Sequence, residues 1–202
     1  VITRILFLIL ISSNCLSQTI HLSRAEKVWA VSHPFAALKI RKIQKQITAL
    51  YKPSELLTQL DSFSNGGKLD AFRHTFYMSA FAQKIKVKKI RKLGIAHEKS
   101  NYRNFLKSKT EDGELADSVA CQMDLLNNEL GFSIGKSNKK LSPDELKQLV
   151  IKEINNGKAV IVKRNKRGVY LSKDDETIDL KAFKGVWETP KWLVASDYVY
   201  KD

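Results

Sequence analysis

The sequence predicts a mainly α-helical protein, with a helical core domain and a small β-hairpin appendage at its C-terminal end. Three observations predict it. Apolar residues recur at spacings of three and four through residues 24–50, 69–82 and 115–130, the period of amphipathic or buried helices. Helix-start chemistry is plain at Ser142-Pro143-Asp144-Glu145, where a capping serine precedes a proline in the first turn. β-Prone runs are confined to residues 159–163 and 169–172, on either side of a short basic turn. With 202 residues, 43% of them hydrophobic, the chain can bury a core of its own.

Residues 1–17 read as a cleaved secretory signal. Arg4 supplies the positive start, residues 5–11 an apolar stretch too short to span a bilayer, and residues 12–17 a small and polar run with Cys15 and Ser17 placed for cleavage before Gln18. A Ser-Gln junction resembles the signals of Bacteroidetes-type Gram-negative bacteria. The rival reading makes Cys15 a lipoprotein anchor, but Ser12-Ser13-Asn14-Cys15 is a poor lipobox. The expectation is a secreted or periplasmic protein with no transmembrane segment in its mature chain. After cleavage Cys121 is the one remaining cysteine, which excludes an intrachain disulfide and suits a packing role better than a nucleophilic one.

Residues 18–64 form an N-terminal helical segment. The apolar pattern runs through Val28, Trp29 and Val31 and again through Leu38, Ile40, Ile43 and Ile47, broken at His33-Pro34 because proline cannot continue a helix. His33 is expected to cap or pack there rather than to bind metal. Ser54 is expected to cap a short helix reaching Leu60, and residues 62–67 to form a loop.

The core domain, residues 65–140, opens on the central helix. Asp70, Arg73 and His74 share one narrow arc of it, since at 100° per residue Asp70 and His74 fall within about 40° of each other. Apolar residues wrap most of the remaining circumference, so these polar groups are inside and must meet partners. Residues 84–92 then carry six basic groups, with Val87 and Ile90 interleaved, which reads as an amphipathic helix with a cationic face. Gly94-Ile95-Ala96-His97-Glu98 follows, small residues leading to an adjacent His-Glu pair. Residues 111–135 contain six acids and no Lys or Arg. Their apolar stripe is Leu115, Val119, Met123, Leu126 and Leu130; the opposite face carries Asp117, Asp124, Asn128 and Gly131, flanked by Cys121 and Asn127. In so basic a chain a solvated face would carry lysines, so this one is expected to be a second buried or cleft-lining surface. Gly131 and Gly135 would let another backbone come close.

Residues 141–202 form the appendage: a capped helix to about Ile154, a stop at Asn155-Asn156-Gly157, the hairpin, and an aromatic tail of Trp187, Trp192, Tyr198 and Tyr200 expected to pack against the core.

A formal charge of +14 favours an anionic substrate or surface, although the basic residues are spread along the chain. The 84–92 run lacks aromatic residues, which weakens a single-stranded nucleic-acid reading. No specific protein partner is implied. Two imidazoles and several carboxylates suffice for a divalent metal such as zinc, with His74, His97 and Asp124 as candidate ligands. The same groups could work without metal, with His74, His97, Glu98 and Arg73 as the catalytic set and Asp70, Asp117, Asn127 and Asn128 supporting them. His-Glu-x-x-His, Cys-x-x-Cys, P-loop and Gly-x-Ser-x-Gly patterns do not occur.

Asp-Ala-Phe-Arg-His at 70–74, Ala-His-Glu at 96–98 and Met-Asp-Leu-Leu-Asn-Asn-Glu-Leu-Gly at 123–131 resemble the motif set of an uncharacterised family of secreted bacterial helical domains, also seen at the C-termini of wall-associated or toxin-like proteins. Glu26-Lys27-Val28-Trp29 and His33-Pro34-Phe35 resemble a segment that precedes this domain in Bacteroidetes members. The resemblance implies an all-helical domain with a shared polar site, and no established reaction. Members often carry His where this chain has Leu126. Two functions fit the residues: an exported hydrolase acting on a phosphodiester, phospholipid or envelope polymer, and a non-enzymatic periplasmic or surface protein whose His/Asp/Arg cluster is a buried network. A concave site lined by these groups favours the first, and a closed, mutually satisfied cluster the second.

Overall fold

The computed structural model describes residues 22–107 and 116–202. The signal reading at 1–17 and the acidic residues Glu111, Asp112 and Glu114 lie outside them. Among the described residues, helices α1 (Arg24–Ser32), α2 (Pro34–Thr48), α3 (Pro53–Leu56), α4 (Lys68–Lys84), α5 (Val87–Leu106), α6 (Ser118–Ser137) and α7 (Pro143–Asn155) precede strand β1 (Val160–Val162), a 3-10 turn at Leu180–Phe183 and strand β2 (Leu193–Ala195). The chain is mainly α with a small antiparallel sheet near its C-terminus, and none of the described helices is long and apolar enough to cross a membrane.

Ser23 opens α1 through a reciprocal capping box with Glu26. Pro34 starts α2 in its first turn, where its missing N–H costs nothing. Between them His33 stacks on Trp29 at 5.1 Å, and its Nδ1 lies 3.1 Å from the Trp29 carbonyl oxygen, a packing role. Trp29, Ile40 and Ile47 are buried as their spacing suggests, but Val28, Val31 and Leu38 are exposed, because only one edge of the α1–α2 pair meets the core. Helix α3 is shorter than expected and opens before Ser54. The Glu55 and Leu56 amides both bond to the Lys52 carbonyl, so the helix begins at Pro53; after Leu56 the chain continues to Leu60 as turns, the Gln59 and Leu60 amides both bonding to the Leu56 carbonyl.

Helix α4 runs through the middle of the molecule. Phe72 and Phe76, stacked at 5.1 Å, lie in a core with Ile47, Leu56, Ile90, Leu146, Val150, Ile154 and Ile161. Each such large side chain contributes about 1.5–3 kcal/mol by leaving water. Helix α6 lies against α4 at glycine distance: a Cβ on Gly131 would sit 2.5 Å from the Thr75 carbonyl oxygen, and one on Gly135 would strike that of Ser79. The basic run does not form one helix. Lys84 ends α4, the extended and buried Ile85 breaks the chain direction, and Lys88, Lys89, Arg91 and Lys92 fall in the first turns of α5, all exposed. The demand of the core for Ile85 outweighs helix continuity.

The C-terminal residues fold onto the helices as a small β unit. β1 pairs antiparallel with β2, Val160 opposite Ala195 and Val162 opposite Leu193. Residues 169–172, expected to pair with the first strand, turn back beside its end. The Asn165 amide donates to the Val169 carbonyl and the Leu171 amide to the Lys163 carbonyl on either side of the bridge Arg164↔Tyr170, and Leu171 also bridges Thr177. This unit holds the loop before α4. The Val162 amide donates to the Gly66 carbonyl (2.8 Å), and Arg164, between the Phe63 and Tyr170 rings, donates to the Asn65 carbonyl (2.7 Å). Tyr200 donates to Asp61, whose carboxylate in turn accepts the Lys68 and Leu69 amides at the start of α4. Within the tail, Trp187 packs edge-on to Tyr102 of α5 at 4.9 Å.

Candidate functional site

The polar residues of α4 point into the interior. Gly66, at φ +71°, turns its amide back so that it donates to Asp70 Oδ2 at 2.7 Å. Arg73 Nη2 donates to Asp70 Oδ1 at 2.7 Å and keeps 36% of its side chain exposed. One turn on from Asp70, His74 places Nε2 3.6 Å from Asp70 Oδ1 and 3.1 Å from Asp124 Oδ1 of α6. Neither approach has hydrogen-bond geometry, and Nε2 is buried without a hydrogen-bond partner. Burial foremost, then the charges of Arg73 and His97, push the imidazole well below the ordinary histidine range, while Asn128 acts the other way. His74 is therefore neutral near pH 7.

The face of α6 that looked polar in sequence is its inner one. Asp117, Cys121, Asp124, Asn127, Asn128 and Gly131 are all buried, and Leu126, placed in the apolar stripe, is exposed. The α4 contact takes that side because only glycines there allow the approach.

His97 and Glu98 part company. Consecutive helical residues point about 100° apart, so His97 faces α1 and Glu98 faces α6. His97 Nδ1 lies 3.1 Å from Glu26 Oε1, with the His97 side chain 38% exposed and that of Glu26 16%. Burial alone would raise the Glu26 carboxyl, but hydrogen bonds from His97 and from the Ser23 amide and hydroxyl, with the His97 charge, hold it down to about 2. Glu98 is buried, accepts from Asn101 Nδ2 at 3.1 Å, and meets the Cys121 thiol. Burial, then Glu98, Asp124 and Asp117, push that thiol up, so Cys121 stays protonated and is no nucleophile. Glu98 and Cys121 also border a shallow groove of about 370 Å³ lined mostly by apolar residues, among them Ile95, Tyr102, Leu125 and Trp187.

Two residues placed in support of the site serve the fold instead. Asp117 caps α6 through the Ala120 amide and pairs with the buried Lys191 at 2.8 Å. Asn127 exchanges two hydrogen bonds with the Val160 backbone and so docks β1 on α6. Asn128 does join the site, beside His74. Of the metal set read from sequence, His74 and Asp124 lie together with Asp70, their donor atoms all within 4.8 Å of one another, while His97 Nδ1 turns to Glu26. Glu26 itself was missed as a site residue. Its capping box marks a helix start, and nothing local marks a partner 71 positions away.

A family model described as a domain of unknown function, DUF6973, matches residues 27–158. The span contains Asp70, Arg73, His74, His97, Glu98, Asp124 and Asn128, and begins one residue after Glu26. No curated protein and no solved structure matches the chain.

Proposed function

We propose that this chain, which belongs to the DUF6973 family, is an exported hydrolase that uses the polar site between α4, α5 and α6 on a phosphodiester, phospholipid or envelope polymer. One observation carries the reading: His97, more than a third exposed, has Nδ1 fixed on a carboxylate held ionised. That arrangement sets the ring's orientation and tautomer and makes its second nitrogen the proton-transfer atom. In the reaction His97 takes a proton from water as the water oxygen bonds to phosphorus or an acyl carbon, the bond from that atom to the leaving oxygen or nitrogen breaks, and His97 gives the proton to the leaving atom. Arg73, part-exposed and acting with His97 on the charge state of His74, receives the anionic group of the substrate. Export rests on the sequence of residues 1–17.

The test is hydrolysis of bis(4-nitrophenyl) phosphate, phosphatidylglycerol vesicles and purified peptidoglycan by the full chain and its variants. His97→Ala should lower kcat on the accepted substrate by about 100-fold or more, and Arg73→Ala should act mainly on KM. No turnover of any of the three would sink the hydrolase. A second reading, a structural network in a non-enzymatic protein, is favoured by burial, since the side chains of His74 and Asp124 are only 10% and 12% exposed.

A further inference from the structure

Three side chains from two helices aim their donor atoms at one point. His74 Nε2 stands 3.1 Å from one carboxylate oxygen and 3.6 Å from another, in contact range but without hydrogen-bond geometry to either. Asn128, itself buried, lies beside the same imidazole. A network kept only for packing has little reason to leave Nε2 unsatisfied, because a buried polar atom without a partner keeps its full desolvation penalty. A central ion explains the spacing directly. Four ligands on a tetrahedral zinc, at bond lengths of about 2.0–2.2 Å, stand about 3.4 Å apart, and the two measured separations bracket that figure.

We propose that Asp70, His74 and Asp124 form a binding site for one divalent transition-metal cation, zinc being the ion best matched to one imidazole and two carboxylates. The inference deepens the hydrolase reading, on whose site it rests. Three protein ligands leave a position for water or a substrate oxygen, and the Arg73 bond to Asp70 orients that ligand in the way outer partners of metal sites do. A dipositive ion also adds positive charge beside two carboxylates that share one buried site, beyond the Arg73 guanidinium already paired with Asp70. Calcium and magnesium, which want an oxygen shell, fit this set less well.

The full chain, stripped with a chelator, is titrated calorimetrically with zinc chloride alone and then with calcium chloride. One equivalent of zinc should bind, calcium far more weakly. Asp124→Asn and Asp70→Asn should each weaken zinc at least about 100-fold, whereas Glu26→Gln should bind like the wild type. Cobalt chloride added to the wild type should give the visible absorption of a low-coordinate site, a readout that needs no variant to fold. Absence of saturable zinc binding by the wild type, or equal binding by a correctly folded Asp124→Asn, would overturn the site. Zinc binding without hydrolysis of any substrate overturns the hydrolase alone. Hydrolysis persisting in chelator, with no zinc bound, overturns the cation alone.

Discussion

Glu26 caps α1 and holds the ring of His97, and both bonds are stronger when it is ionised. Its folded pKa, about 2, lies below the ordinary glutamate value, so the unfolded chain binds the proton more readily. The stability it contributes is complete above pH 4.5 and is lost as pH falls from there towards 2. Urea unfolding followed from pH 6 to pH 2.5 should show this limb in the wild type. Glu26→Gln should flatten it and cost about 1 kcal/mol at pH 6, a figure reduced for solvent screening at the part-exposed His97; an unchanged limb would remove Glu26 from that role. At this scale the sequence was informative where chemistry and spacing are local. Asp70, Arg73 and His74 stood out as charges on an apolar helix, and the structure does bring them together. The adjacency of His97 and Glu98 misled, because neighbours on a helix face different elements. Glu26 and Lys191 meet their partners through the fold, so nothing near them in sequence marked the pairing.

Gly131 and Gly135 are what let α4 and α6 lie close enough for Asp124 and Asn128 to reach His74. A methyl group at 131 would lie 2.5 Å from a carbonyl oxygen and 3.0 Å from Met78 Cβ, neither of which can withdraw without moving α4. Gly131→Ala should therefore destabilise by about 1–3 kcal/mol in spite of alanine's better helix propensity. Chemical denaturation reads this directly, and a neutral or stabilising result would mean that the helices are not held at backbone contact. The close approach was visible in the glycine spacing, and the inward polar face in its missing lysines. Two element boundaries were less visible. The basic run looked continuous because charge reports solvent exposure and not chain direction, and the turn at Ile85 follows from a core position that only the assembled helices define. The sheet partner of β1 lies more than thirty residues downstream, after the nearer β-prone run has crossed back through a bridge, and short strands carry too little pattern to decide between the two.

For the molecule as a whole, the helices supply the polar site and the C-terminal unit fixes the geometry around it. β1 and Arg164 hold the Gly66 loop that binds Asp70, Tyr200 holds the Asp61 carboxylate at the start of α4, and Lys191 holds the start of α6. The expected appendage is thus built into the core, a role invisible in the composition of residues 141–202. The question at this scale is whether the protein keeps the Asp70–His74–Asp124 cluster for stability or in spite of stability. Two carboxylates share one buried site, Asp70 with the Arg73 guanidinium beside it, and the neutral imidazole next to both brings no charge of its own. Functional sites are commonly kept at such a cost, whereas a structural ion network loses about 3–5 kcal/mol when one partner is removed. The most direct measurement is the urea unfolding free energy of wild type and Asp124→Asn, both in chelator at pH 7. A functional site predicts that the isosteric neutral variant matches the wild type within about 1 kcal/mol or exceeds it; a loss of about 3 kcal/mol or more would contradict it and make the cluster part of the scaffold.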